Sequence, residues 1–413
     1  MKIFMGRIIN IRKHKKWKFL DVIINAKKVQ FLFRNELMDN NFIYGDIVEI
    51  HATSHTNNNG DLIYKASKCE IICRPEKIFK NNKKIDYKNQ YLCALTGQHM
   101  INIIKVRSIV LFAIRKFFNS NEFVEIETPI LQTSIGTSSS NPVVTNKLRN
   151  NKKYYLKRSG ELQQKQIIMT TMSDVYEISK VFRDQGQTRT TMVEYNMLDF
   201  YKVGANYLEA MSLTEQLLRA VIEEAREYLT IENIDSSKPF ERKNLLSEVG
   251  AILGQDLKKP LDSEKTEKVL LKYDMQLGKA MDKADIIEFV FNRIIKPKIK
   301  EPVFYFDFPQ KFCPLGKPKD DFCSEEFKLI INGISIGHGY TELIDKELQF
   351  NFLKDQFAMR LREGRDAEFE KSFLESMSYG FPPMTGVGIG IDRLIAVLLG
   401  QSNIRKTKIF PFY

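Results

Sequence analysis

A glycine-rich segment near the C-terminus carries the clearest chemical signal in the sequence. Gly386, Gly388 and Gly390 occupy alternate positions, and Arg393 follows at the start of an apolar run. Alternate positions of a strand lie on one face, so this face would lack side chains and let a flat ligand or another backbone approach closely. A planar guanidinium beside it suits an anionic, flat ligand such as a nucleotide. The same pattern also fits a tightly packed strand–helix corner with an ion-paired arginine.

A second arginine lies between two predicted strands. Arg183 follows the apolar-rich segment 175–182, and residues 194–201 form the next predicted strand after a polar loop. A guanidinium there suits phosphate binding because it offers a fixed charge and a bidentate fork. Asp199 and Tyr201 are two residues apart, so they share one face of their strand and would present an acid and a hydroxyl to a pocket. The alternative is a solvated face with surface ion pairs.

The elements that must position these residues fall into two regions. Short β-rich runs over residues 1–72, separated by turn signals such as 57–61, predict about five strands and a small barrel of the OB-fold type. We expect this barrel over 1–73, a Lys/Asn-rich connector over 74–100, and an α+β domain over 101–413. Within that domain the patterns predict helices over 101–118, 207–230, much of 240–300 and 351–378, and strands over 123–131 and much of 303–350.

Charge suggests a polyanionic partner. The net charge is +12, and lysines are concentrated in the first hundred residues. Nucleic acid is the obvious polyanion, although a general Lys/Asn bias would give the same total. Four aromatics among these basic residues would suit base stacking or would fill the barrel: Trp17, Phe19, Phe31 and Phe33.

Several classes of protein are disfavoured by composition. No apolar run is long enough to span a bilayer, and the N-terminal segment lacks a secretory signal pattern, so we expect a cytoplasmic protein. The five cysteines are irregularly spaced, which predicts no disulfide framework. Cys69 and Cys73 have no second Cys/His pair to complete a zinc site. We therefore expect these two to be buried structural cysteines and expect no protein-bound metal site.

Three segments in order resemble the class II aminoacyl-tRNA synthetases. Residues 123–131 resemble motif 1 of the dimer interface, 182–201 resemble motif 2, and 386–394 resemble motif 3. Over nearly its whole length the chain is most similar to lysyl-tRNA synthetases. The resemblance implies an OB-fold anticodon-binding domain followed by a catalytic domain with an antiparallel sheet flanked by helices. It also implies ATP and an amino acid as substrates, tRNA as partner, and a homodimer formed through 123–131.

The resemblance also implies roles for individual residues. Arg183 and Arg393 would be catalytic and would hold the ATP phosphates. The expected ATP-binding set is Arg183, Gln185, Tyr195, Lys328, Ser335 and Arg393. The expected amino-acid-binding set is Glu161, Asp199, Tyr201, His338, Tyr340 and Glu342. The expected nucleic-acid-binding set is Arg12, Phe19 and Gln30.

The chain departs from the family at positions in the active site. Lys328 and Ser335 stand where two glutamates of the family hold Mg²⁺ on ATP, and Mg²⁺ requires oxygen ligands. Further departures are Gln185 for Glu, Asp199 for Glu, His338 for Asn, and Thr190-Thr191 for Arg-His. Use of Mg²⁺ is therefore left open. Three hypotheses follow: a ligase that charges tRNA with lysine or a close basic analogue, a paralogue that aminoacylates a protein or small molecule, and a catalytically silent tRNA-binding or regulatory protein.

Overall fold

The computed structural model describes residues 1–14, 16–34, 41–56, 62–78, 91, 92, 95, 98–136, 140–145, 153–229, 234, 235, 238–276, 278, 281–365 and 368–411. The described chain divides into two compact units, one of residues 1–107 with 408–411 and one of residues 108–407. The predicted turn over 57–61 and most of the predicted connector lie outside the described residues.

The first unit contains a closed five-stranded barrel. Its strands are β1 (Lys2–His14), β2 (Trp17–Ile24), β3 (Lys27–Arg34), β4 (Ile47–Thr56) and β5 (Leu62–Cys73), joined in the order β1-β2-β3-β5-β4. The prediction of an OB-like barrel is thus confirmed. Asn25 and Ala26 both have positive φ, which makes the β2–β3 connection a two-residue turn. Phe31 and Phe33 are fully buried in the barrel core, so they fill the barrel and do not present their rings to a ligand.

The second unit is built on an eight-stranded sheet. Its strands are β6 (Val124–Glu125), β10 (Val175–Phe182), β11 (Glu194–Val203), β12 (Glu241–Asn244), β13 (Val303–Phe306), β14 (Glu326–Ile331), β15 (Ile334–Thr341) and β16 (Met384–Gly390). They are ordered β12-β13-β14-β15-β16-β11-β10-β6. The central strands are all antiparallel. A small separate sheet contains β7 (Leu131–Gln132), β8 (Val144–Thr145) and β9 (Tyr154–Leu156).

Helices flank this sheet, which confirms the expected α+β class. They are α1 (Gln98–Ser120), α2 (Glu161–Thr171), α3 (Tyr207–Ala225), α4 (Leu245–Leu253), α5 (Ser263–Leu271), α6 (Lys283–Val290), α7 (Lys346–Arg362), α8 (Lys371–Met377) and α9 (Ile391–Leu398). The single helix predicted over 351–378 is two helices, because Gly364 adopts φ +67° just after α7 and ends it. Within the described ranges, no helix has both the length and the apolar character needed to cross a membrane.

Two further expectations about local structure are wrong. Residues 123–131 do not form one strand. Only two short strands, β6 and β7, form there, one near each end of the segment. Between them the Thr128 N–H donates to the side-chain Oε1 of Glu177 at 2.8 Å instead of to a backbone carbonyl of the neighbouring strand β10, and Pro129 has no N–H to donate. Cys73 is exposed at the end of β5 and Cys69 is half-buried, so the buried cysteines among the described residues are Cys313 and Cys323.

Candidate functional site

The glycine-rich strand β16 forms the floor of the candidate site. It lies between β11 and β15, and two rows of paired residues cross these three strands: Tyr201–Gly386–Tyr340 and Asp199–Gly388–His338. A Cβ added at Gly386 would overlap the Tyr201 ring and the Glu342 carboxylate. Glycine is therefore required at position 386, because neighbouring side chains pack over β16. The β11 and β15 residues of the two rows form the walls of a trough on either side of the glycines.

A cavity of about 370 Å³ lies over this trough. Its lining includes eleven of the twelve predicted ATP- and amino-acid-binding residues: Glu161, Arg183, Gln185, Tyr195, Asp199, Tyr201, Lys328, Ser335, His338, Tyr340 and Arg393. The twelfth, Glu342, is buried and lies against Gly386. Residues up to 245 positions apart in the chain, from Ser159 to Ile404, line this one cavity.

Buried acids and one buried lysine form one part of the cavity wall. Glu161 begins α2, and Lys165 follows one helical turn later. The Lys165 Nζ lies 2.8 Å from Glu161 Oε1 and also contacts Glu342 Oε2, while the Tyr340 hydroxyl donates to Glu161 Oε1 at 2.5 Å. Burial opposes the charge of Lys165, yet the two acids raise its pKa. Glu161 and Glu342 share the single ammonium of Lys165. Burial of Glu342, together with the negative charge of Glu161, raises the pKa of Glu342 to about 8.

Asp199 lies in the same part of the cavity. It is 6% exposed, and its Oδ2 has no hydrogen-bond partner among the described residues. Burial, with the charge of Glu177 as the next cause, raises the pKa of Asp199 to about 7. Glu177 itself is balanced by the buried Lys157, whose Nζ lies 2.7 Å from Glu177 Oε1. A buried acid without a partner is costly, which makes Asp199 a natural acceptor for a polar or cationic ligand.

Two arginines form another part of the wall. Arg393, in the first turn of α9, donates from Nε to the Thr190 carbonyl (3.0 Å) and from Nη1 to the Ser335 carbonyl (3.1 Å). The Arg183 guanidinium lies over the Tyr195 ring, 5.7 Å from its centroid. Burial, together with the positive charge of Arg183, lowers the pKa of Arg393, so the two cations lie close enough to act on one polyanion.

Further cations gather near Arg393. Lys328 Nζ lies 3.6 Å from a carboxylate oxygen of Glu288 and 3.7 Å from one of Glu326. Burial, followed by the charges of Arg393 and Lys328, lowers the pKa of Lys296 to about 8. The region around Ser335 is therefore rich in positive charge, which suits phosphate groups.

Sequence reasoning missed several buried charged residues of this site. They are Lys157, Lys165, Glu177 and Glu326. The spacing of Glu161 and Lys165 at i and i+4 was a usable signal for their contact. For Lys157 and Glu177 the sequence offers no local signal, because they pair with each other from positions 20 residues apart. Glu326 has near neighbours in Ser324 and Lys328, but its contact with His338 depends on the pairing of β14 with β15.

The barrel holds a second group of predicted residues. Arg12 and Gln30 both contact the buried Asp21: Gln30 Nε2 donates to Asp21 Oδ1 at 3.0 Å and Arg12 Nη2 to the same oxygen at 3.3 Å. The Arg12 guanidinium lies 5.8 Å from the centroid of the Phe19 ring. Although burial opposes its charge, hydrogen bonds from Gln30, Lys28 and Asn10 hold the pKa of Asp21 at about 2. The three predicted residues thus lie in one patch of the barrel.

Comparison with known proteins agrees with this arrangement. The family model described as tRNA synthetases class II (D, K and N) matches residues 82–413. The lysine–tRNA ligase of Saccharolobus solfataricus is 30% identical over 425 aligned positions, covering 98% of this chain and 86% of that protein. The lysine–tRNA ligases of Wigglesworthia glossinidia brevipalpis and Fervidobacterium nodosum are 28% and 29% identical, each over 98% of this chain and over 87% and 83% of their own lengths. The chain therefore belongs to the class II tRNA synthetase family of the D, K and N type.

Proposed function

We propose that the protein activates lysine, or a close basic analogue, with ATP and transfers it to tRNA. The observation that carries this proposal is that one cavity is lined both by acidic side chains and by two arginines. One part of the wall contains buried carboxylates whose negative charge is only partly balanced by nearby cations of the protein. Another part is formed by Arg183 and Arg393. A cationic amino acid and a polyphosphate are the two ligands that such a cavity suits together.

The charge balance near α2 supports a substrate with two ammonium groups. Glu161, Asp199 and Glu342 carry up to three negative charges, and Lys165 supplies one positive charge. The remaining deficit of two matches the α-ammonium and side-chain ammonium of lysine once its carboxylate has formed the mixed anhydride with the α-phosphate and pyrophosphate has left. A neutral amino acid would leave a buried carboxylate uncompensated, which costs several kcal/mol.

Phosphate recognition is assigned to the arginines. In this proposal Arg183 and Arg393 neutralise the triphosphate, and Tyr195 with Gln185 receives the adenine. Formation of the adenylate requires the substrate carboxylate to be held in line with the α-phosphate, so positioning and charge neutralisation supply the catalysis. Arg393 suits this role because it donates hydrogen bonds to two backbone carbonyls, which hold its guanidinium in a fixed position.

The cavity is a poor fit to a Mg²⁺ site of paired carboxylates. The acids near Lys328 are Glu288 and the buried Glu326, and both already lie close to the Lys328 ammonium, at 3.6 Å and 3.7 Å. Mg²⁺ requires oxygen ligands in near-ideal octahedral geometry. We infer that the Lys328 ammonium takes over part of the metal's charge on the triphosphate, and we assign no catalytic step to Mg²⁺.

The remaining parts of the proposal concern partners. Arg12, Phe19 and Gln30 combine a cation, an aromatic ring and an amide in one patch, which suits an unpaired base and its phosphate. A homodimer through the segment 123–131 is supported by its exposed apolar side chains: Val124, Ile130 and Leu131 are 49%, 48% and 47% exposed. A cytoplasmic location belongs to the same proposal.

One assay tests the function. ATP–pyrophosphate exchange is measured across a panel of amino acids, with and without tRNA and at graded Mg²⁺ concentrations. Lysine-dependent exchange with tRNA charging supports the proposal. Exchange with another amino acid, or without charging, favours the paralogue, and tRNA binding without exchange favours the catalytically silent protein. Exchange that collapses when Mg²⁺ is removed would contradict the role inferred for Lys328.

A further inference from the structure

Three side chains with metal-binding atoms converge at the edge of the cavity. They are Cys313, Glu326 and His338, and their ligand atoms all lie within 4.8 Å of one another. Cys313 and Glu326 are buried, whereas the His338 side chain is 42% exposed and lines the cavity. None of the roles proposed above uses Cys313 or Glu326.

The sheet fixes two of the three residues. Glu326 pairs with Tyr340 and Lys328 pairs with His338 between β14 and β15, so Glu326 and His338 are diagonal neighbours on the cavity face. Their contact is direct, with 2.8 Å between Glu326 Oε1 and His338 Nε2. The other Glu326 oxygen accepts a hydrogen bond from Ser324 Oγ, also at 2.8 Å. That bond orients the carboxylate in the way that outer-sphere partners orient metal ligands.

A rigid loop supplies the third residue. The Gln310 side-chain amide donates to the backbone carbonyls of Cys313 (2.7 Å) and Gly316 (3.0 Å), which closes the loop around the thiol. A Cβ added at Gly316 would lie 2.5 Å from Cys313 Sγ, so only glycine leaves room for the sulfur there. The thiol is thereby held next to the Glu326–His338 pair.

We propose that Cys313, Glu326 and His338 bind one Zn²⁺ ion or a similar divalent transition-metal ion. Sulfur, imidazole nitrogen and carboxylate oxygen are the three ligand types that zinc uses. Zinc–ligand bonds of about 2.0–2.3 Å in a tetrahedron place ligand atoms roughly 3.3–3.8 Å apart, so side-chain shifts of about 1 Å suffice. One thiolate and one carboxylate also balance the charge of a divalent ion.

The donor set has two consequences. Three protein ligands leave a fourth position for water or a substrate atom, as in catalytic zinc sites, and His338 directs this position toward the cavity. The thiolate makes the site unsuitable for Mg²⁺, which takes oxygen ligands, so this metal would be separate from any ion carried by ATP. The alternative is a metal-free network in which Glu326 is satisfied by His338, Ser324 and the Lys328 ammonium 3.7 Å away.

Cobalt substitution distinguishes the two. The purified full-length chain is stripped with a chelator, and separate samples are titrated with Zn²⁺ and, under anaerobic conditions, with Co²⁺. We expect about one tightly bound ion per chain, a near-ultraviolet thiolate-to-cobalt absorption band, and the intense visible bands of tetrahedral Co²⁺. Cys313→Ser should abolish the near-ultraviolet band and weaken Zn²⁺ binding more than about tenfold. The matched control is Cys323→Ser, because Cys323 is also buried in this unit and lies outside the cluster.

Several results of these titrations would contradict the proposed metal site. Wild-type protein that binds no more Co²⁺ than Cys313→Ser, or a thiolate band that survives in Cys313→Ser, would overturn the proposal and favour the metal-free network. An equal loss in Cys323→Ser would overturn it as well. If Cys313→Ser does not fold, Glu326→Gln provides the test: it keeps the side-chain shape and should weaken Zn²⁺ binding by a similar factor. Unchanged binding in Glu326→Gln would exclude the site.

Discussion

Lys165 is the residue on which the acidic part of the cavity depends. Its ammonium contacts Glu161 and Glu342; the Lys165 and Glu342 side chains are each 1% exposed, and that of Glu161 is 14% exposed. Removing one partner of a buried ion pair leaves an uncompensated charge, which costs about 3–5 kcal/mol. We expect Lys165→Met to lower the free energy of unfolding by that amount in denaturant titrations at pH 7.5, and Glu342→Gln in the same chain to restore part of the loss.

An exposed pair with the same spacing is the control for that experiment. Lys268 and Glu264 are also four residues apart and in contact at 2.6 Å, but their side chains are 69% and 79% exposed. Lys268→Met should therefore change the free energy of unfolding by less than about 1 kcal/mol. If Lys165→Met and Glu342→Gln destabilise the protein additively, the two side chains do not interact as described.

Asp199 gives the stability of the protein a specific pH dependence. Its pKa is about 7 in the folded protein and 3.8 ordinarily, so the folded state binds this proton more tightly than the unfolded state. The cost of ionising Asp199 is therefore absent below about pH 4, grows as pH rises, and is complete above about pH 7. Asp199→Asn removes it, and we expect this variant to be more stable than wild type by on the order of 2–4 kcal/mol at pH 8, with little difference at pH 4.5.

Urea titrations at the two pH values measure this effect. The matched control is Asp321→Asn, since Asp321 is an exposed acid of the same unit and replacing a surface residue should change the free energy of unfolding by less than about 0.5 kcal/mol. An Asp199→Asn advantage that is the same at both pH values would show that hydrogen bonding, and not ionisation, causes it.

At the scale of elements, β16 must lack side chains where its neighbours close over it. A Cβ at Gly386 would meet the ring of Tyr201, which is part of a packed core and cannot move away easily. Overpacking of this kind costs about 1–3 kcal/mol, and we expect Gly386→Ala to lower the thermal midpoint accordingly. In β15, a Cβ at Gly337 would meet nothing closer than Ile389 Cγ1 at 3.4 Å. Gly337→Ala should therefore be tolerated, and equal midpoints for the two variants would contradict this account.

The elements also show what the sequence could and could not predict. Periodicity and turn residues identify the barrel strands and the pair β10–β11, because these contacts are local in the chain. The motif resemblance identified most of the cavity lining. The pairing of Glu326 with His338 depends on the β14–β15 register, and the break of the segment 123–131 depends on Glu177, which is more than forty residues away. Such long-range partners leave no pattern in a single sequence.

At the scale of the whole molecule, the exposed apolar side chains of the segment 123–131 support the proposed homodimer. Ile130 is 48% exposed and lies beside the exposed Leu131, and apolar clusters of this kind on a protein surface commonly mark interfaces. We expect wild-type protein to sediment as a dimer at micromolar concentration and Ile130→Asp to sediment as a monomer, because a charge buried in an interface without a partner is costly.

The control for the dimer is an exposed leucine elsewhere. Leu271, at the end of α5, is 58% exposed, and Leu271→Asp should leave the mass measured by sedimentation equilibrium unchanged. A monomeric wild type would contradict the proposed interface, and so would a dimer that Ile130→Asp leaves intact. If Ile130→Asp also abolishes lysine-dependent exchange while retaining the wild-type circular dichroism spectrum, then the site requires the assembled dimer, since Ile130 lies outside the cavity lining.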